Sequence, residues 1–139
     1  MPATIATARD EMSALFKAAW DTTGLPVIWD DVAKTPPKTR TGWARFTIRH
    51  EDGDQSTLSG GLGKARFTRR GTIFIQIFTP VGKGLSDADP LIKKAMDAYE
   101  GKSTASGVWF RNVRPREIGP DGDWNQVNVL ADFEYDEVK

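Results

Sequence analysis

The sequence contains no cysteine and only one histidine among its 139 residues. Without cysteine, the chain has no disulfides, no thiolate nucleophile and no cysteine-ligated metal site. One histidine is too few for a metal centre built on a histidine cluster. These two absences remove several common classes of catalytic and metal-binding protein.

Neither sign of charge is in excess, because 19 basic side chains balance 19 acidic ones. A general nucleic-acid-binding protein usually carries a basic surplus, so this balance argues against that class. A chain without net charge has little self-repulsion, and it therefore tolerates association with copies of itself and with other chains.

Long apolar runs are also missing. No stretch approaches the ~20 residues that cross a bilayer, and the N-terminus lacks the basic and apolar regions of a signal peptide. We therefore expect a soluble protein that is used or assembled in the cytoplasm, with no membrane partner. Aromatic side chains, in contrast, are plentiful, with 5 Trp and 7 Phe. Such residues supply both cores and subunit contacts.

The longest β-branched and aromatic run predicts a central strand over residues 68–79. Isoleucines occupy the odd positions 73–77, and they alternate with Phe74, Gln76 and Phe78. Both faces of this strand therefore carry apolar side chains. That pattern is typical of a strand at the middle of a sheet, covered by helix on one face and by protein or a partner on the other.

The remaining periodicities predict an α+β domain. Helical spacing of apolar residues predicts helices over about 4–23, capped by Thr4 or Thr7, and about 87–100, capped by Ser86. Further strands are predicted at 25–29, 43–49, 107–114 and about 124–135, with polar turns at 50–55 and from Pro115 to 123. The expected fold is one domain over residues 1–139, with a mostly antiparallel sheet and both helices on one face.

Two acidic sites are the only candidates for catalysis or metal binding. Asp30 and Asp31 are adjacent, and His50 precedes Glu51 and Asp52. No third ligand or nucleophile accompanies either pair in the sequence, and a lone histidine in a polar turn is typically solvated. We predict no catalytic residue, no metal and no cofactor, and therefore a protein that is not an enzyme.

Glycine–lysine pairs at 63–64 and 82–84 resemble phosphate-binding loops only in part. A Walker motif requires Ser or Thr after the lysine and a helix after the loop. Here Ala65 follows Lys64, and a strand comes next. We predict that residues 56–64 form a long loop leading into the central strand, and that contact with a partner orders it.

Basic residues are concentrated in the middle third of the chain, and acidic residues in the last strand. Three interpretations stay open for them: a solvated strand face, salt bridges between subunits, or contact with a phosphate backbone. The candidate interface residues are Arg45, Arg49, Lys64, Arg66, Arg69, Arg70, Gln76, Asp132 and Glu134. A less favoured alternative is a platform for single-stranded nucleic acid built on Trp43, Phe67, Arg66 and Arg69.

Several segments together resemble the tail-terminator-like, or tail completion, proteins of long-tailed bacteriophages and gene transfer agents. The matching segments are structural motifs spread over nearly the whole chain: 26–29, 36–37, 70–84, 107–110, 123–129 and 133–136. The resemblance offers no catalytic residues to carry over to this sequence.

This resemblance implies a structural virion protein that forms a hexameric ring at the head-proximal end of the tail tube. Such a ring ends tube polymerisation and joins the tail to the head, after assembly in the host cytoplasm. The implied partners are further copies of the chain, the tail tube protein and a head–tail connector protein. DNA is expected to pass through the ring without specific binding. Another adaptor of the head–tail neck is the alternative.

Overall fold

The computed structural model describes residues 3–29, 42–55, 65–82 and 86–138. The elements, in chain order, are α1 (Ile5–Trp20), a 3-10 turn (Asp21–Thr23), β1 (Val27–Ile28), β2 (Trp43–Gln55), β3 (Arg66–Pro80), α2 (Ala88–Asp97), β4 (Trp109–Asp121) and β5 (Trp124–Val138). The strands form one sheet in the order β1-β2-β3-β5-β4. β1 lies parallel to β2, and the other pairs are antiparallel. The predicted α+β fold is confirmed, and the strand predicted at 68–79 is at the centre of the sheet.

The first helix begins with a reciprocal cap. The backbone N–H of Thr4 donates to Oγ1 of Thr7 at 2.8 Å, and the N–H of Thr7 donates to Oγ1 of Thr4 at 3.2 Å. Each hydrogen bond satisfies a donor that the first helical turn leaves unpaired. The buried residues of α1 recur every four positions: Ala8, Met12, Phe16 and Trp20. This spacing directs one stripe of the helix onto the sheet.

The core lies between the two helices and one face of the sheet, which we call the helix face. Ile73, Ile75 and Ile77 of β3 point into it and are at most 1% exposed. Phe16 of α1 stacks on Phe46 of β2 with ring centroids 5.1 Å apart. Aromatic burial of this kind supplies a large share of the stability of a small domain.

Tyr99, just after α2, forms a hydrogen bond to α1. Its hydroxyl donates to the backbone carbonyl of Met12 at 2.8 Å. The side chain is fully buried, and burial raises the pKa of Tyr99 well above its ordinary value. The hydroxyl therefore stays protonated and can keep donating.

The predicted polar turn at 50–55 is wrong, because β2 continues as a strand to Gln55. A register shift between His50 and Asp52 marks a bulge, after which pairing with β3 resumes. The acidic residues of this segment lie opposite the basic start of β3. Cross-strand partners thus override the local turn preference.

The predicted turn from Pro115 is also wrong, because β4 runs on to Asp121. Two register shifts interrupt its pairing with β5. At the first shift, Asn112 adopts a left-handed conformation with φ 52°. β4 is the edge strand beside β5, so the missing N–H of Pro115 is tolerated there.

Smaller corrections concern the helix ends and the first strand. α2 begins at Ala88, so Asp87 and not Ser86 occupies the N-cap position. β1 is only Val27–Ile28, shorter than the predicted 25–29. The predicted loop at 56–64 falls outside the described residues.

Candidate interaction surface

The second face of the sheet, opposite the helices, is called here the open face. Directly opposed residues of antiparallel strands share a face, so the strand register defines its members. Its rows, from one end of the sheet to the other, are Trp43, Phe78 and Gln126; Arg45, Gln76, Asn128 and Arg116; Thr47, Phe74, Leu130 and Arg114; Arg49, Thr72, Asp132 and Arg111; Asp52, Arg70, Glu134 and Trp109; and Asp54, Thr68 and Asp136. We call the first four rows the upper rows and the last two the lower rows. Together they mix arginine, carboxylate, amide and aromatic side chains on one surface.

Arg70 is the hub of an ion-pair network in the lower rows. Its Nε lies 2.7 Å from Oε1 of Glu134. Its Nη1 lies 2.8 Å from Oδ2 of Asp54 and 3.4 Å from Oδ1 of Asp52. Hydrogen bonds to Asp54 and Glu134 raise the pKa of Arg70 above its ordinary value. One guanidinium serves three carboxylates here, so negative charge remains in excess around it.

Asp132 forms a second network across three strands. Its Oδ1 accepts from Oγ1 of Thr72 at 3.1 Å and from Nη1 of Arg114 at 3.4 Å. Its Oδ2 accepts from Nδ2 of Asn112 at 3.3 Å. Several donors to one carboxylate offset the cost of holding its charge against the sheet. The network ties β3, β5 and the bulged part of β4 together.

The upper rows carry five arginines, which we call the cationic patch: Arg45, Arg49, Arg111, Arg114 and Arg116. Of these five, only Arg114 has an ion pair with a described residue, namely Asp132. The guanidinium of Arg45 lies 5.7 Å from the ring centroid of Trp43, and that of Arg111 lies 5.3 Å from that of Trp109. Positive charge thus flanks the polar centre of the open face on both sides.

A hollow of about 250 Å³ lies within the upper rows. Its lining consists of Thr47, Arg49, Phe74, Gln76 and Asn128. The lining has an apolar ring, two amides and a guanidinium. Such a surface can accept a side chain that combines a carboxylate or amide tip with an apolar stem.

The lower ends of β2, β3 and β5 form what we call the acidic arm, comprising residues 51–55, 66–70 and 134–138. β4 reaches only the first row of this arm, where Trp109 pairs with Glu134. The arm contains six acidic residues and three arginines, a net charge of −3. It therefore has the opposite charge to the cationic patch, at the other end of the same face.

On the helix face, the arm holds a charged pair, and its Tyr135 forms a hydrogen bond with the neighbouring His50. Arg69 Nε lies 3.3 Å from Oε1 of Glu137. His50 Nε2 lies 2.7 Å from the Tyr135 hydroxyl, and its ring packs edge-on against Phe133 with centroids 5.1 Å apart. The prediction that His50 is merely solvated is therefore wrong.

Burial explains the titration behaviour of this pair. Desolvation lowers the pKa of His50, and the positive charges of Arg9 and Arg69 lower it further. Desolvation also raises the pKa of Tyr135 to about 12. Both side chains are therefore neutral near pH 7. A neutral imidazole and a neutral phenol can share one hydrogen bond at low cost.

The structure brings together seven of the nine candidate interface residues. The open face holds Arg45, Arg49, Arg66, Arg70, Gln76, Asp132 and Glu134. Arg69 lies on the helix face, and Lys64 is outside the described residues. Sequence reasoning missed six charged members of the surface: Asp52, Asp54, Arg111, Arg114, Arg116 and Asp136. Two segments predicted as turns contain three of them, although the alternation of Arg114 and Arg116 around Pro115 was a usable strand signal.

The proposed stacking platform for nucleic acid is not assembled. Trp43 and Arg66 lie at opposite ends of the open face, whereas Phe67 and Arg69 are on the helix face. Trp43 is only 3% exposed, so no base can stack on it in this conformation.

The candidate catalytic groups do not form a site in the described part of the chain. Asp30 and Asp31 fall outside it, and His50 is bonded to a tyrosine. Among residues 3–29, 42–55, 65–82 and 86–138, no group of three potential metal ligands occurs. Over the same residues, neither helix has the length and apolarity to cross a membrane.

Comparison with known proteins gives a family match and matches to solved structures. The model of the family described as Phage tail terminator protein matches residues 7–127. No curated protein matches the chain. One solved structure superposes with a TM-score of 0.64 at 19% identity, covering 91% of this chain and 94% of the other. At that identity the likeness shows a shared fold, and the family match covers most of the chain. The chain belongs to the phage tail terminator protein family, and its role is that of a structural protein of the phage tail.

Proposed function

We propose that this protein forms a ring at the head-proximal end of the tail tube. There it ends tube polymerisation and joins the tail to the head. The observation that supports this proposal is the open face. It is a four-stranded surface with arginine, amide and aromatic side chains, and the described helices lie on the other side of the sheet.

The composition of the open face suits contact with protein. Arginine and aromatic residues are enriched at protein interfaces, and the rims of interfaces are polar. Phe74, Phe78 and Gln76 are only partly buried in the single chain, whereas the isoleucines between them are fully buried. Half-buried aromatic rings gain further stabilisation when a partner covers them.

A ring requires a contact between two different surfaces of the chain, repeated with a rotation that closes. The open face offers two such surfaces, because its upper and lower ends differ in charge. The number six for the ring follows from the family resemblance. In the proposed ring, DNA passes through the lumen without specific contacts.

Capping of tubes tests this function directly. Tube protein would be polymerised with and without the purified chain, and tube lengths would be measured by negative-stain electron microscopy. We expect short, bounded tubes with extra density at one end. Unbounded tubes with bare ends would contradict the proposal. A chain that binds the connector protein but no tube end would be a neck adaptor.

A second test concerns the β2–β3 connection and the start of β3, of which residues 56–64 lie outside the described residues. We propose that residues 56–70 face the neighbouring subunit or the tube. Deletion of residues 59–63 should then impair tail assembly and leave the monomer folded, as judged by circular dichroism. A deletion variant that still builds tails of normal length would refute the assignment.

A further inference from the structure

We propose that copies of this chain associate by docking the acidic arm of one copy onto the cationic patch of the next. This inference rests on the proposed ring and names the surfaces that build it. The occupant of each surface is therefore a second copy of the same chain.

In the part of the chain that the structure describes, the cationic patch has more positive than negative charge. Its five arginines share the upper rows with one carboxylate from the described strands, that of Asp132. Asp132 already accepts from Thr72, Asn112 and Arg114. Arg45, Arg49, Arg111 and Arg116 therefore keep guanidinium donors available for carboxylates from elsewhere.

The acidic arm has an excess of negative charge, which complements the patch. On its open side, Asp52, Asp54 and Glu134 share the single guanidinium of Arg70. Asp52 and Asp54 have 67% and 68% of their side-chain surface exposed. A carboxylate has room for about four hydrogen bonds, so both can accept a second guanidinium without losing Arg70.

The positions of these two surfaces favour a head-to-tail arrangement. The outer row of the patch, that of Arg45, and the outer row of the arm, that of Asp54, lie roughly 30 Å apart at the usual rise of a strand. The row of Arg111 adjoins that of Asp52, but within one chain the carboxylate of Asp54 cannot reach Arg45. Docking the arm of one copy on the patch of the next leaves a free arm and a free patch, so the contact can repeat around a ring.

Complementary charge also sets the register of the contact. A copy rotated end to end would place arginines against arginines, and like charges in contact repel each other. The pattern thus favours one orientation over others and makes association faster at low salt.

Charge reversal tests the contact. The patch variant is Arg45→Glu with Arg49→Glu, and the arm variant is Asp52→Lys with Asp54→Lys. The control, Lys17→Glu with Lys93→Glu, makes the same change in charge as the patch variant on exposed helix positions. Mass would be measured by sedimentation equilibrium at 50 and 300 mM salt. Near-ultraviolet circular dichroism would confirm that each variant is folded.

We expect the wild-type chain and the control to form species larger than dimers at 50 mM salt, with at least tenfold weaker association at 300 mM. Each reversal variant alone should be monomeric. A mixture of the two variants, or one chain carrying all four changes, should associate again because every arm then meets a patch of opposite charge.

Other outcomes would overturn the proposal. A wild-type chain that stays monomeric would do so, and so would a mixture of the two variants that does not recover association. Particles no larger than dimers would indicate a closed face-to-face pair instead of a repeating contact. Binding of duplex DNA that is lost in the patch variant, without self-association, would assign the patch to nucleic acid. A wild-type chain that associates but leaves tubes uncapped would contradict the proposed function at the tube end, while the proposed contact between arm and patch would still be supported.

Discussion

The two faces of β3 differ sharply although they alternate along one strand. On the helix face, Ile73, Ile75 and Ile77 are at most 1% exposed and pack in the core. On the open face, Phe74, Gln76 and Phe78 are only partly buried. Burial constrains the residues of the first face, whereas charge pairing between strands constrains those of the second. The following predictions separate these two kinds of constraint.

Truncation in the core should have the largest effect. Ile75→Ala removes a fully buried side chain and should lower the free energy of unfolding by about 3 kcal/mol. Gln76→Ala, its neighbour on the open face, should cost less than about 1 kcal/mol. Urea unfolding of both variants measures the contrast. Equal losses would show that the open face is as tightly constrained as the core.

The close approach of three strands at Gly71 gives the next largest effect. A Cβ at this position would lie 2.1 Å from the carbonyl oxygen of Arg49 and 2.6 Å from the ring of Phe133. Gly71→Ala should therefore destabilise the protein by about 2 kcal/mol or more. Gly53→Ala is the control, because its nearest neighbour is the flexible end of Arg69. A loss of stability for Gly53→Ala as large as that for Gly71→Ala would contradict the explanation by close backbone approach.

On the open face, a single polar contact should have a smaller effect. Thr72→Val keeps the shape of the side chain and removes the hydrogen bond to Asp132, and we expect a loss of about 1 kcal/mol. Thermal unfolding would detect it. Asp132 retains Asn112 and Arg114 as donors. No change in the melting temperature would mean that this network does not stabilise the chain.

The pH dependence of stability reports on His50, on the helix face. Its pKa is lowered in the folded chain from the ordinary value of 6.5. The unfolded chain therefore binds a proton first as pH falls, and stability should be full above about pH 7 and decline below 6.5. His50→Gln should flatten this decline between pH 7 and 5.5 in urea titrations. An unchanged slope in the variant would assign the decline to other groups.

Much of the fold was predictable because it follows from periodicity. The alternation around Ile75 placed the central strand, and the spacing of Met12, Phe16 and Trp20 placed α1. Sequence reasoning failed where a cross-strand partner decided the structure. The acidic residues 51–55 resemble a turn until the basic start of β3 lies beside them, and this pairing is invisible in local sequence.

The candidate surface was predictable only in part for the same reason. Arg70 and Glu134 stood out as opposite charges, yet nothing in the sequence showed that they meet at 2.7 Å. Arg116 was not recognised as a strand residue because it follows Pro115. Proline usually ends a strand, but it is tolerated here at the edge of the sheet. The family motifs describe structure, so they specified the fold better than the surface.

Footprinting of the assembled protein tests the central claim most directly, namely that assembly covers the open face and leaves the helix layer exposed. Hydroxyl-radical oxidation would be measured by mass spectrometry for the free chain and for the chain bound at tube ends. Trp109 on the open face and Ile5 on α1 are 42% and 46% exposed in the single chain. We predict that assembly strongly reduces oxidation of Trp109 and leaves that of Ile5 unchanged. Protection of Ile5 with unchanged oxidation of Trp109 would contradict the account.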